Sequence, residues 1–124
     1  MKKRIAVVGG GLIGLATAYK LLLKYRDIRL DLFEKEPHLG KHQSGRNSGV
    51  LHCGLYYQPG SLKAKLAVEG IREMTSFCRE YEIAHEICGK VVLAANEQQN
   101  QTLRELAKRG AANGLQGLKF LNKS

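Results

Sequence analysis

Three consecutive glycines, Gly9-Gly10-Gly11, constrain this chain more than any other feature, because they interrupt an otherwise apolar run from Ile5 to Leu23. The run follows Lys2, Lys3 and Arg4 and contains Ala16-Thr17-Ala18, so an export signal or a membrane segment is one reading. Each glycine costs a helix about 1 kcal/mol relative to alanine. Lys20 would also put a charge inside the span, where charge is expensive. The glycines instead divide the run into two elements. Arg4 to Val8, "RIAVV", reads as a short buried strand, and "LIGLATAYKLLLKY" reads as a helix with Leu15, Ala18, Tyr19, Leu22 and Tyr25 at helical spacing. A second strand follows in "IRLDLFE", where Ile28, Leu30 and Leu32 alternate before Glu34.

Strand, glycine turn, helix, strand and terminal acid form one pattern. Gly9, Gly11 and Gly14 fit GxGxxG, with Leu12 and Ile13 between the last two, and Glu34 lies twenty residues beyond Gly14. Each part has a mechanical role in holding a dinucleotide. Gly9 permits the tight turn, Gly11 lets the backbone approach a pyrophosphate, and Gly14 lets helix and strand pack closely. The helix N-terminus offers N–H groups and partial positive charge to the phosphates. Glu34 is placed to accept from a ribose hydroxyl, and its charge disfavours a 2′-phosphate, so NADP is not expected. The fingerprint by itself does not separate NAD from FAD.

Composition narrows the rest. The chain has 124 residues, enough for one ordinary domain. The net charge of +9 suits anionic ligands, but the basic residues are scattered and there is no Trp, so nucleic acid is not an expected partner. The three cysteines, Cys53, Cys78 and Cys88, are odd in number and form no CxxC. That argues against a disulfide framework or a zinc ribbon and fits a reducing compartment. His38 and His42 are four apart, like a metal pair on a helix, but Pro37 and Gly40 favour a loop there and no third ligand has suitable spacing. No metal is expected. The sequon Asn122-Lys123-Ser124 has no meaning without secretion.

A second glycine-rich stretch spans residues 34 to 64, dense in Gly, Ser, Asn and His between Gly40 and Gly60. It also carries Val50, Leu51, Leu55, Tyr56 and Tyr57, which favour burial, so it is not a disordered linker. Within it, "HQSGRNSGVLHCGLYYQPGSLKA" resembles the signature of the L-2-hydroxyglutarate oxidase/dehydrogenase family, among FAD-dependent oxidoreductases of the D-amino-acid-oxidase and glycerol-3-phosphate-dehydrogenase type. "ICGKVVLAANE" and "RGAANGLQGLKFLN" resemble later parts of the same family, so the likeness covers essentially the whole chain.

The resemblance implies an α/β fold with a Rossmann-like FAD-binding βαβ unit and the start of an α+β substrate domain. The implied cofactor is FAD. On matching positions, Glu34 and Lys35 would lie near the adenine ribose. Gln43, Ser44, Asn47, Ser48, Gly49 and Val50 would lie along the pyrophosphate, ribityl chain and flavin ring, with His52 close to the isoalloxazine. His52 is the single candidate for a catalytic base. Cys53 departs from the family pattern, where a small residue such as Ala is usual, and is read as packing. The implied reaction oxidises an L-2-hydroxy dicarboxylate to the 2-oxo acid by hydride transfer to flavin, with oxygen or a quinone as electron acceptor. Other readings are a related flavin oxidase for another hydroxy acid, an amino acid or glycerol phosphate; a non-catalytic nucleotide-binding remnant; and a plain NAD-binding module. The expected setting is cytoplasmic, with peripheral contact at the inner membrane as the option a quinone would bring.

Beyond the motif, residues 61 to 82 read as an amphipathic helix capped by Ser61, with Ala64, Ala67, Val68, Ile71, Met74, Phe77, Cys78 and Tyr81 on one face. Residues 86 to 95 read as a strand, and 97 to 114 as a second helix ending at Asn113-Gly114. "LKFLN" reads as the start of a further strand. Family enzymes are several times longer, so the chain is expected to be an amino-terminal portion. Residues 1–82 would be FAD-binding and 83–124 would begin the substrate domain. Unpaired strand edges would favour self-association.

Overall fold

In a computed structural model, which describes residues 2–121, β-branched and aliphatic residues set the first strand, β1 (Lys3–Val8), and glycine ends it. The chain then enters helix α1 (Leu12–Lys24) and returns as β2 (Ile28–Phe33). The two strands pair in parallel, with Lys3 opposite Ile28 and Val8 opposite Phe33. Parallel neighbours need a crossover connection, and α1 supplies it. The result is the expected α/β βαβ unit, with boundaries within one residue of those read from periodicity. The Gly9 N–H donates to the Phe33 carbonyl at 2.7 Å and carries the ladder one step beyond the strands. Ala18 is buried on α1, and at the exposed end of the sheet Arg4 pairs with Asp31 at 3.1 Å. The Arg4 hydrogen bond is the main cause that holds the Asp31 carboxyl below its ordinary range.

The chain divides into two compact units, Met1–Val50 and Leu51–Ser124. This line differs from the division at 82/83, which concerns the membership of each part in a larger enzyme and remains a proposal. After β2, the first unit ends in irregular chain with a 3₁₀ turn at Gln43–Gly45.

Two helices organise the second unit. Helix α2 (Leu62–Glu80) starts where Ser61 Oγ accepts from the Ala64 N–H at 3.2 Å, the expected N-cap. It stops two residues before the expected end. There the Ile83 N–H returns to the Cys78 carbonyl and the Glu82 N–H to the Arg79 carbonyl, a Schellman closure with Glu82 in the left-handed position at φ 53°. Helix α3 (Glu97–Ala112) is capped by Asn96, whose Oδ1 accepts from the Gln99 N–H at 2.9 Å. It ends in the same closure, with Gly114 at φ 80° and bonds from Gly114 N–H to Ala111 and Leu115 N–H to Gly110. The core here is small-residue packing: Leu55 and Ala64 are buried, and Leu55 lies against Gly110.

Two expectations need correction. Residues 86–95 form no strand; Ile87, Val91 and Leu93 are exposed, and Gly89 turns at φ 73°. A strand is stable only when its N–H and C=O groups meet a neighbour, and no segment among the described residues pairs with this one. Its ties are a cation–π contact, with the Lys90 ammonium 4.3 Å from the Tyr56 ring centre, and at its end the Ala95 N–H, which donates to Gln99 Oε1 at 2.7 Å. Residues 118–121 of "LKFLN" are likewise not a strand, and Asn122 lies outside the described residues.

The left-handed cap of α2 makes a prediction. An L-residue with a Cβ pays about 1–2 kcal/mol in that conformation and glycine does not. Glu82→Gly should therefore stabilise the second unit by about 0.5–1 kcal/mol, after the entropy glycine adds to the unfolded chain. Chemical denaturation should show a higher midpoint at unchanged slope.

Candidate functional site

The site is built where β1 ends. Gly9 turns the chain at φ 105°, a conformation that disfavours any side chain, and Gly11 N-caps α1 without a side-chain bond of its own. The cap comes from 32 residues away: Ser44 Oγ accepts from the Leu12 N–H at 2.8 Å. A Cβ at Gly11 would press on that hydroxyl, and one at Gly14 would collide with the Gly9 carbonyl. Helix and turn thus approach as closely as backbone allows, which is the role expected of Gly14.

Glu34, at the far end of β2, does more than face outward. Its Oε2 accepts from the Gly10 N–H at 2.6 Å and its Oε1 accepts from the Glu36 N–H at 3.0 Å. The Gly10 carbonyl in turn accepts from the Gly40 N–H at 3.0 Å. The middle glycine, to which the fingerprint assigns no task, is therefore the buried hub of the turn, and a Cβ there would meet Leu39 and Glu34. The Glu36 N–H first, and the Gly10 N–H next, hold the Glu34 carboxyl below its ordinary range.

These groups frame an open cavity of about 370 Å³, within the range of small-molecule sites. Gly9, Gly11, Glu34, Lys35, Gln43 and Ser44, all expected site residues, line it together with Val8, Phe33, Gly40, Lys41 and His42. Lys41 and His42 were not among the expected site residues. Both converge on Glu36, His42 Nε2 at 2.9 Å and Lys41 Nζ at 3.4 Å, and close the loop between β2 and the 3₁₀ turn. The signal for them was their position between Gly40 and Gln43. His42 is thus engaged by Glu36, and among the described residues no three His, Cys, Asp or Glu side chains are grouped to hold a metal ion.

The remaining expected residues lie elsewhere. Leu12, Ile13 and Gly14 form the first turn of α1 beneath the cavity and do not line it. Asn47 turns back on its own loop: its amide donates to the Ser44 carbonyl at 2.7 Å and its Oδ1 accepts from the Gly49 N–H at 2.7 Å. Ser48, Gly49 and Val50 are exposed and not on the cavity. His52 is exposed in the second unit, next to half-buried Cys53.

The Glu34 bonds predict a pH dependence. A carboxyl whose pKa is lowered by folding stabilises the fold above its unfolded value and loses that contribution as pH falls through the folded value. The difference in stability between the wild-type chain and Glu34→Gln should be full at neutral pH and shrink below the ordinary carboxylate value of 4.5. Thermal melts from neutral to acid pH measure it; a difference independent of pH would show that the charge of Glu34 is not what the two N–H groups hold.

Comparison with known proteins places this geometry. Residues 4–124 match the family model described as "FAD dependent oxidoreductase". The chain is 47% identical over 121 residues to an L-2-hydroxyglutarate dehydrogenase of Indibacter alkaliphilus, covering 98% of this chain and 30% of that protein. It is 41% identical over 117 residues to the mitochondrial L-2-hydroxyglutarate dehydrogenase of Homo sapiens, covering 94% and 25%. Among solved structures it is similar to the dithionite-reduced L-alpha-glycerophosphate oxidase of Mycoplasma pneumoniae with FAD bound, at 33% identity and a TM-score of 0.70, covering 91% of this chain and 29% of that one. The chain thus spans about a quarter to a third of the length of the curated relatives it matches. With the fingerprint turn, the βαβ unit and a match along nearly its whole length, this chain belongs to the FAD dependent oxidoreductase family.

Proposed function

We propose that the chain is the FAD-binding portion of an oxidoreductase that converts L-2-hydroxyglutarate to 2-oxoglutarate. The observation that carries this reading is identity of 41–47% over nearly the whole chain to proteins named L-2-hydroxyglutarate dehydrogenase. The cavity fits the adenosine diphosphate half of the cofactor. Glycine backbone at Gly9 and Gly11 leaves room for a pyrophosphate, the N-terminus of α1 faces the same place, and Lys35, Lys41 and His42 add donors around it. Glu34 keeps lone pairs on both oxygens for ribose hydroxyls while it holds the turn. FAD, when bound, supplies the hydride acceptor. Asn47, Ser48, Gly49, Val50 and His52 are assigned to the flavin half on the family likeness, with His52 as the base for the hydroxyl proton.

The substrate in this reading is a small dicarboxylate hydroxy acid, and the electrons pass on to oxygen or a quinone. The compartment in this reading is cytoplasmic, although the human and Dictyostelium discoideum relatives carry "mitochondrial" in their names. Among the described residues no helix is long and apolar enough to cross a membrane. The glycerophosphate oxidase likeness supports a second reading, oxidation of glycerol phosphate, at lower identity.

The test is spectroscopic. The purified chain should hold FAD, seen as visible flavin bands that persist through gel filtration. Within a full-length enzyme carrying these residues, L-2-hydroxyglutarate should bleach the bands and glycerol 3-phosphate should not. Bleaching by glycerol 3-phosphate alone would support the second reading, and bleaching by neither would refute both. Gly14→Ala should cut FAD retention at least about tenfold, since its Cβ and the Gly9 carbonyl cannot share one place.

A further inference from the structure

The segment from His52 to Tyr57 has almost no backbone structure of its own. Its one internal bond runs from the Tyr57 N–H to the Gly54 carbonyl, at 3.2 Å. Side chains of α3 do the rest. Asn113 Nδ2 donates to the Gly54 carbonyl at 3.0 Å and to the Tyr57 carbonyl at 2.9 Å. Arg109 Nη1 donates to the Tyr56 carbonyl between them, at 3.2 Å. Leu55, buried, fills the space left by Gly110 one turn earlier on the same helix. Gly54, at φ 84°, faces α2, where an added Cβ would touch Ala67 and Val68.

The Asn113 side chain is not needed to end its helix. The closure of α3 is made by backbone, through Gly114 and Leu115. The amide is therefore available to the loop, and its orientation is set by two carbonyls that accept only an N–H. Asn113 Oδ1 is buried with no donor among the described residues, so the amide is held by its nitrogen end.

We propose that Asn113 is a positioning residue for the Gly54–Tyr57 loop: its amide, with Arg109, replaces the missing backbone partner of this loop and so fixes the backbone that directly follows His52 and Cys53. The proposal rests on the function above only in placing that segment beside the flavin. Asp at position 113 is isosteric but turns an acceptor toward two carbonyls, and Ala simply removes the donor.

Amide hydrogen exchange on the chain itself decides the positioning. In Asn113→Asp and Asn113→Ala, the hydrogen-bonded amide of Tyr57 and those of buried Gly54 and Leu55 should exchange at least about tenfold faster, more so in the Asp variant, while those of mid-α2 and of β1 and β2 change by less than about twofold. Unchanged exchange at Gly54, Leu55 and Tyr57 overturns the proposal. An equal rise throughout α2 also overturns it, because Asn113 would then serve only the stability of the unit. FAD separates the two ideas. If the wild-type chain retains FAD, Asn113→Ala should retain it too but with shifted flavin bands, and identical spectra would remove the segment from the flavin's surroundings. If the wild-type chain takes up no FAD, the cofactor reading fails for this chain and exchange alone judges the positioning.

Discussion

The hydrogen bond from the Gly10 N–H to Glu34 Oε2 ties the two ends of the βαβ unit together. One partner sits in the turn after β1 and the other just past β2. Gly9, Gly10 and Gly11 each lack a Cβ to restrict them, so the turn depends on this bond together with those from the Gly9 N–H to Phe33 and from the Gly40 N–H to Gly10. A charge-assisted bond to backbone is stronger than a neutral one, and here it selects a single turn. Everything that lines the cavity follows from that choice. Gly40 docks on the Gly10 carbonyl, the loop returns through Lys41 and His42, and Ser44 arrives at the N-terminus of α1.

The second unit solves a related problem by other means. Its loop at residues 54–57 has carbonyls to satisfy and no strand beside it, and α3 meets them with side-chain donors from Arg109 and Asn113. Where no such donors exist, in residues 86–95, the chain stays irregular despite a sequence rich in strand-forming residues. Strand propensity expresses fit to a pleated surface and has little force without one. The same physics therefore accounts for an ordered loop and an unformed strand in one unit.

This contrast also explains what could be read from the sequence. Local signals were reliable for the helices: α1, both long helices, Ser61 as N-cap and the Gly114 closure depend on residues within one turn of each other, whereas strand signals held at β1 and β2, which pair with each other, and failed at residues 86–95 and 118–121. The three fingerprint glycines and Glu34 were legible because their spacing is a steric requirement. The partners of Gly10, Leu12, Gly54 and Tyr57 were not, because each bond joins residues 24 to 59 positions apart. Asn113 shows the limit well. Asn before Gly at a helix end has a sufficient local explanation, and that explanation hides the longer-range task of its amide.

The electrostatics of the cavity bear on which dinucleotide it suits. The Glu36 N–H first, and the Gly10 N–H next, favour the ionised form of Glu34 and hold its carboxyl below its ordinary range. A fixed negative charge at the end of β2 accepts from ribose hydroxyls and repels a phosphate attached there. In the same cavity Lys35 and Lys41 lie near Glu36, whose carboxylate also holds the His42 ring, so the lysine charges lie beyond the turn and not on it. With the Gly9, Gly10 and Leu12 N–H groups engaged by Phe33, Glu34 and Ser44, the pyrophosphate of the proposed cofactor would meet the glycine backbone and the positive end of α1, with side-chain charge as a secondary field. With the cofactor proposed, such an arrangement would discriminate by shape at the phosphates and by charge at the ribose. In the proposed reading, that division requires glycine at Gly11 and Gly14 and an acid at Glu34, which a merely basic surface would not replace, even in a chain whose net charge is +9.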